Sequence, residues 1–155
     1  MPAAPASTTS ARHPTVARPR PAGRRLRGLG PLPDECSPAD RARVAAAARF
    51  RRIEAGAFLF DQGAVPVACY LVVEGSAEVR VAGRAVGRIG PGTLAGAPDV
   101  LARRARTSAA VAREAMTVWQ IDGPALDRLL VTAPTFARAV AHDLGRRLRE
   151  QPLAT

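Results

Sequence analysis

The chain has 155 residues, of which 47% are hydrophobic and only 4% aromatic, and its formal net charge is +10. This length suits one domain whose core is built from aliphatic and alanine side chains. No window approaches the roughly eighteen apolar residues of a membrane span, and 2 cysteines are too few for a disulfide framework. We therefore expect a cytoplasmic protein with no membrane contact.

Residues 1–33 form a separate compositional segment. They are rich in Pro, Ala, Ser and Thr, and they include arginines but no acidic residue. Such a segment cannot bury enough apolar surface to fold, so we predict a disordered tail, a folded domain over 34–150 and a short C-terminal tail over 151–155. Our first interpretation of residues 1–33 is a terminus that is simply exposed to solvent. The alternatives are an arm that contacts nucleic acid non-specifically and an organelle transit peptide.

The central part of the chain is typical of a small β domain. Turn residues recur every seven to twelve positions between short apolar runs, and one run alternates apolar and polar residues. This spacing predicts an antiparallel barrel or sandwich rather than alternating strands and helices. The predicted strands cover 50–53, 58–60, 69–73, 77–81 and 117–122. Helices follow from Gly123-Pro124 and over 134–150.

The segment 92–108, which we call the cassette, indicates an anion pocket. Gly96 allows the backbone to approach a ligand, Pro98 suits the first position of a short helix, and Arg106 can bind a phosphate through two nitrogens. Unpaired N–H groups at a helix start and a nearby guanidinium together favour a phosphate over most other small ligands.

Four motifs resemble the cyclic nucleotide-binding domain, the β-roll of the catabolite activator protein and of the cyclic-AMP-dependent kinase regulatory subunits. They follow the family's spacing without a gap: Gly56-Ala-Phe-Leu-Phe60, Tyr70-Leu-Val-Val-Glu-Gly75, Gly92-Thr-Leu-Ala-Gly96-Ala97 and Arg106-Thr107-Ser108. The resemblance covers residues 30–150. It implies a mainly β fold, an antiparallel β-roll of double-stranded jelly-roll type. The implied helices are one over 37–48, a short cassette helix and two at the C-terminus.

The resemblance also implies a ligand site, and here the chain departs from the family. The implied ligand-binding residues are Gly96, Ala97, Pro98, Asp99, Arg106, Thr107 and Ser108. Ala97 stands where members that bind cyclic nucleotides have a glutamate that accepts from the ribose 2′-hydroxyl. Losing a charged hydrogen bond of roughly 1.5–3 kcal/mol weakens binding by about one to two orders of magnitude.

Two neighbouring residues weaken the site further. Pro98 removes a backbone donor, and the carboxylate of Asp99 competes with a phosphate at the helix start. We expect cyclic AMP, cyclic GMP or a related anion to bind weakly or not at all, and we expect no cofactor. A salt bridge from Arg106 to Asp99 or another carboxylate is the structural alternative to ligand contact.

The remaining candidate residues have structural interpretations. No cluster of His, Cys and carboxylate residues has metal-ligand or nucleophilic spacing, so we expect neither a metal site nor an enzyme. We predict that Cys69 is a small core residue, with a redox pair to Cys36 as the alternative. Trp119 is expected to fill the roll rather than stack on a base, and Arg103 and Arg104 are expected to be solvated.

The last helix is the element through which the domain would act on a partner. It places Phe136, Val140, Leu144 and Leu148 on one face, which can pack on the roll, fold over a ligand or pair with a twin in a homodimer. Gly145 costs about 1 kcal/mol in mid-helix and allows a bend or a close helix crossing. Two functions remain. One is a sensor that signals through its C-terminal helices to an unknown effector protein, and the other is a ligand-free scaffold for protein interaction or dimerisation.

Overall fold

A computed structural model describes residues 32–150. The predicted tails therefore lie almost entirely outside the described residues. Leu32, however, is only 4% exposed and belongs to the apolar core. The packed part of the chain thus includes Leu32, two residues before the boundary predicted at residue 34, because this leucine buries its apolar side chain.

The described chain forms eight strands and four helices. Their bounds are α1 Pro38–Ala47, β1 Arg49–Ile53, β2 Phe58–Phe60, β3 Ala68–Glu74, β4 Ala77–Val81, β5 Arg84–Ile89, β6 Leu94–Ala95, α2 Ala97–Ala102, β7 Ala109–Ala112, β8 Met116–Asp122, α3 Gly123–Thr132 and α4 Pro134–Glu150. The predicted β-roll with an N-terminal helix, a cassette helix and two C-terminal helices is confirmed. Three strands, β5, β6 and β7, were not predicted.

The strands form two four-stranded sheets, and every pairing is antiparallel. One sheet has the order β1-β8-β3-β6 and the other the order β2-β7-β4-β5. Strand β3 pairs with β8 along most of its length and with β6 only at Tyr70 and Leu71. The short β6 therefore attaches the first part of the cassette to the edge of the first sheet.

Two apolar clusters hold these layers together. The inner cluster lies between the two sheets and includes Ile53, Leu59 and Val118, while the outer cluster joins the first sheet to the helices through Val44 and Phe136. Trp119 is 6% exposed, as expected for a core residue, but it belongs to the outer cluster. The expectation that it fills the roll is wrong, because neighbours in a strand point to opposite faces and Val118 takes the inward position.

The last helix is covered along only part of its apolar face. Phe136 and Val140 are buried in the outer cluster and Leu144 packs against it, whereas Leu148 is 72% exposed. A Cβ at Gly145 would meet nothing within 4 Å, so no helix of residues 32–150 crosses closely at this glycine. Packing on the parent roll thus accounts for the first half of α4 and leaves its end open.

Candidate functional site

The backbone of the cassette turns sharply between β6 and α2. Gly96 has φ +79° and ψ 1°, a left-handed conformation that glycine adopts without the steric cost of a side chain. Pro98 lies at the first or second position of α2, and Arg103 ends the helix with φ 54°. The six-residue helix is therefore bounded by two left-handed residues, and the chain returns towards the roll at Arg106.

Arg106 points into the roll and is only 3% exposed. Its backbone N–H donates to Ala64 O (2.9 Å) and its carbonyl accepts from Gly63 N (2.8 Å), which fixes the main chain beside the loop after β2. Its Nη1 donates to Gly96 O at 2.6 Å, and its Nη2 donates to Ala68 O at the start of β3. The guanidinium thus joins the cassette to the first sheet.

The charge of Arg106 is buried without a paired carboxylate. None of the ion pairs within 4.0 Å among residues 32–150 includes it, and its Nε has no hydrogen-bond partner there. The expected alternative, a salt bridge to Asp99, is not formed. Burial lowers the pKa of Arg106, and the nearby Tyr70 and Asp99 oppose that shift. Carbonyl dipoles and an aromatic ring compensate for the charge.

That ring belongs to Phe60. The Cζ atom of Arg106 lies 4.2 Å from the centroid of the Phe60 ring, and Phe60 in turn stacks on Tyr70 with centroids 6.3 Å apart. A cation over an aromatic face gains electrostatic energy, the more so when both are desolvated. The side chains of Arg106, Phe60 and Tyr70 therefore follow one another from the cassette through the second sheet to the first. We call these three side chains the ladder.

Only some of the predicted site residues are buried at the cassette, and the others are exposed. Gly96 and Arg106 are in direct hydrogen-bond contact, and Ala97 and Asp99 are 1% and 5% exposed. Ser108 is half-buried, whereas Pro98 and Thr107 are exposed, as are Arg103 and Arg104 in agreement with their predicted solvation. The residues missed are Phe60 and Ala68. Phe60 lies in a quoted motif and could have been proposed as a ring beside the cation, but Ala68 acts only through its carbonyl.

The last helix is attached to β6, the short strand within the cassette. Arg147 Nη2 donates to Leu94 O at 2.8 Å, and Leu94 precedes Gly96 by two residues. Asp143 Oδ2 holds the same guanidinium at 2.7 Å, one turn earlier on α4. A displacement of β6 or the cassette therefore changes a contact that α4 makes.

The other end of α4 is capped by a residue from α1. Asp40 Oδ2 accepts from Thr135 N at 2.8 Å and from the Thr135 hydroxyl, and Ser37 N donates to Thr135 Oγ1 at 2.9 Å. Asp40 is 2% exposed, and the side-chain hydrogen bond from Thr135 lowers the pKa of its carboxyl. The first helix thus satisfies one of the unpaired N–H groups with which α4 begins, that of Thr135.

Residues 32–150 contain neither a candidate metal cluster nor a candidate membrane span. No group of three or more His, Cys, Asp and Glu residues in that range could hold a metal ion, and none of its helices is long and apolar enough to cross a bilayer. Cys36 and Cys69 are both buried and both free. Burial raises the pKa of Cys69 to about 12, so its thiol stays protonated, in agreement with the prediction of a core residue.

Comparison with known proteins identifies the same architecture. The model of the cyclic nucleotide-binding domain family matches residues 50–133. The crystal structure of the Thermus thermophilus catabolite activator protein is 28% identical with a TM-score of 0.69, and the match covers 78% of this chain and 59% of that one. The present chain therefore spans less than two thirds of the Thermus protein.

Two further structures share the fold at lower identity. The N-terminal domain of a transcriptional regulator from Streptomyces coelicolor A3(2) is 22% identical, with TM-score 0.63 and coverage of 81% of this chain and 93% of that one. A cyclic nucleotide-binding domain from Methylobacillus flagellatus is 16% identical, with TM-score 0.70 and 81% of each chain covered. No curated protein matches the sequence.

Proposed function

Since this chain belongs to the cyclic nucleotide-binding domain family, we propose that it is a non-catalytic, cytoplasmic regulatory domain whose cassette binds a cyclic nucleotide or a related phosphate-bearing anion. In this proposal the anion is held by Arg106, and the C-terminal helices pass the signal to an effector protein. The observation that carries the proposal is the buried guanidinium of Arg106, which no carboxylate pairs within 4.0 Å among the described residues.

A buried cation without a counter-ion favours the binding of an anion. Removing a charge from water costs several kcal/mol. Carbonyl dipoles offset a smaller part of this desolvation penalty than a full negative charge does. A phosphate presents two oxygens to the guanidinium fork in charge-assisted hydrogen bonds. Nε of Arg106 is free to donate, and either terminal nitrogen can exchange a carbonyl for a phosphate oxygen.

The composition of the cassette limits what else the ligand contacts. Ala97 is buried and ends in a methyl group, so a ribose 2′-hydroxyl meets no acceptor from this side chain. The carboxylate of Asp99 is buried near the guanidinium and repels a second negative charge. We therefore propose weak binding in which the phosphate, rather than the ribose, supplies most of the affinity.

The route to the effector runs through the contact between Arg147 and Leu94. Because Leu94 lies in the cassette two residues before Gly96, a ligand that displaces Gly96 also moves the carbonyl that Arg147 binds. The exposed Leu148 lies one residue further along α4, where a second copy in a homodimer or a partner protein can reach it.

The alternative function is a ligand-free scaffold for protein interaction or dimerisation. It is favoured by the contacts that the terminal nitrogens already make, because Nη1 and Nη2 each donate a hydrogen bond to a carbonyl inside the chain. In this case Arg106 is a structural cation, and the exposed end of α4 is the functional surface.

Isothermal titration calorimetry on the full chain separates the two functions. Cyclic AMP, cyclic GMP and inorganic phosphate are titrated into the wild type, Arg106→Gln and the matched control Arg104→Gln, which changes an exposed arginine of the same segment. Circular dichroism verifies the fold of each variant. Binding heat in the wild type and the control that disappears in Arg106→Gln supports the sensor. Absence of heat in all three supports the scaffold, and heat unchanged in Arg106→Gln contradicts the proposed site.

A gain-of-function variant tests the ribose half of the site. Ala97→Glu restores a carboxylate, so we expect it to raise cyclic nucleotide affinity by about one to two orders of magnitude. Ala102→Glu, at an exposed position of the same short helix, is the charge-matched control and should leave the affinity unchanged. Equal effects of the two substitutions would show that general electrostatics, not ribose contact, governs binding.

A further inference from the structure

The cassette buries a second charged side chain besides that of Arg106. Asp99 is buried, and none of the ion pairs within 4.0 Å among residues 32–150 includes it. Burying a carboxylate is costly unless a positive charge lies in its surroundings. The guanidinium of Arg106 is that charge, since Asp99 is one of the groups that oppose the lowering of the pKa of Arg106.

These two side chains belong to the first turn of α2 and to its nearest contact. The carbonyl oxygen of Gly96 accepts from Arg106 Nη1 at 2.6 Å and from Val100 N at 3.4 Å, so the guanidinium is bonded to the residue at which the helix begins. Asp99 is the acidic residue of this first turn. The residue before Asp99 and the residue after Arg106 are both exposed, so the two buried charges lie next to positions that solvent reaches.

We propose that Asp99 is a specificity-determining residue, which makes the cassette select a phosphodiester with one negative charge over a phosphate monoester with two. This inference rests on the proposed function, because it names the class of anion that the same site binds. The first negative charge of a ligand forms charge-assisted hydrogen bonds with the guanidinium of Arg106. A second negative charge meets two opposite charges whose sum is zero, so it gains no net attraction and still loses its hydration.

A cyclic nucleotide and the corresponding linear nucleotide differ in this second charge. A phosphodiester has a single acidic proton and carries one negative charge. A phosphate monoester loses a second proton with a pKa of about 6, so its charge approaches −2 above neutral pH. Cyclic AMP and 5′-AMP share the same base and sugar, and the cassette can therefore distinguish them by the charge of the phosphate alone.

The substitution Asp99→Asn predicts how the two affinities change relative to each other. It removes the carboxylate charge and keeps a side chain of the same shape. The repulsion that is removed acts once on a phosphodiester and twice on a monoester, so the factor gained by the diester is squared for the monoester. We expect cyclic AMP to bind about threefold to tenfold more tightly to the variant, and 5′-AMP about tenfold to a hundredfold more tightly.

Isothermal titration calorimetry of the full chain at about pH 8 tests the inference with three compounds. They are cyclic AMP, 5′-AMP and the methyl ester of 5′-AMP, which is linear but carries one negative charge. The methyl ester should bind the wild type at least about tenfold more tightly than 5′-AMP, and Asp99→Asn should raise its affinity by the same factor as that of cyclic AMP. Asp127→Asn is the matched control. It removes an exposed carboxylate that pairs with Arg103 at the end of α2, and it should leave the ratios of the three affinities unchanged.

The wild type alone can overturn the inference, so the test does not depend on the folding of the variant. A methyl ester that binds the wild type no more tightly than 5′-AMP would show that the site does not select by charge. Equal gains for all three compounds in Asp99→Asn would also overturn the inference, but they would leave the proposed function intact. Absence of binding by all three compounds to the folded wild type and the folded variant would overturn the proposed function and this inference with it.

Discussion

Gly96 and Gly83 offer a matched pair of substitutions that measures how tightly Arg106 is held. Both glycines have φ +79°, but a Cβ at Gly83 would meet nothing within 4 Å. A Cβ at Gly96 would clash with Nη1 of Arg106 and would lie 3.1 Å from both Arg106 Cζ and Phe60 Cε1. Gly83→Ala therefore reports backbone strain alone, and Gly96→Ala reports the same strain plus displacement of the guanidinium.

The expected magnitudes differ enough to be separated. A left-handed non-glycine residue costs about 1–2 kcal/mol, which is the whole expected effect of Gly83→Ala. Displacing Nη1 from Gly96 O removes a charged hydrogen bond of roughly 1.5–3 kcal/mol, so Gly96→Ala should lose about 2.5–5 kcal/mol in all. Urea unfolding followed by circular dichroism measures both free energies, provided that the m value is unchanged.

A double-mutant cycle with Arg106→Met tests whether the additional stability lost in Gly96→Ala, compared with Gly83→Ala, comes from the guanidinium. In that background the extra loss at Gly96 should shrink, because the atoms that the new methyl group meets are gone. Equal losses for the two glycines in the wild-type background would refute the reasoning, since the guanidinium would then shift aside at no cost.

Three further predictions concern the described chain. The pKa of Asp40 is lowered from 3.8, chiefly by the hydrogen bond from Thr135, so the ionised carboxylate contributes stability above pH 3.8 that is lost as the pH falls through the lower folded value. Urea unfolding at a series of acidic pH values should therefore show that the free energy of unfolding falls more steeply with pH for the wild type than for Asp40→Asn. Parallel pH profiles for the two proteins would disprove this contribution of Asp40. Phe136→Ala should cost about 3–5 kcal/mol and Leu148→Ala no more than about 0.5, because one ring is buried and the other side chain is exposed; similar costs in denaturant titrations would mean that the end of α4 is covered. The thiol of Cys69, with its pKa raised to about 12, should resist iodoacetamide at pH 8 until the protein unfolds, and labelling of the native protein detected by mass spectrometry would contradict its burial.

The strands that the sequence did not predict are those without a periodic pattern. All four residues of β7, Ala109–Ala112, are buried, and three of them are alanines, so neither alternation nor strand propensity marks them. Strand β5 is an exposed edge strand with no buried residue, and β6 has only 2 residues. Strand β4, by contrast, was predicted from the alternation of apolar and polar residues over 77–81.

The candidate site was predictable only where the spacing of the motifs sets two residues against each other. The register of Arg106 against Gly96 follows from the motif spacing, and the structure places them in contact. The second acceptor, Ala68 O, lies 38 residues earlier and is a main-chain atom, which no side-chain pattern reveals. The cap that Asp40 provides for Thr135 joins residues 95 apart, and it depends on how the helices pack rather than on local sequence.

The ladder makes the cassette observable without any introduced label. Tyr70 is the only tyrosine of the chain and Trp119 its only tryptophan, and Tyr70 is separated from Arg106 by a single ring. A ligand that draws the guanidinium away from Phe60 changes the electric field at the phenol, whereas Trp119 packs in the other cluster and serves as an internal reference. Native ultraviolet difference spectra can therefore follow occupancy of the cassette in the unmodified protein.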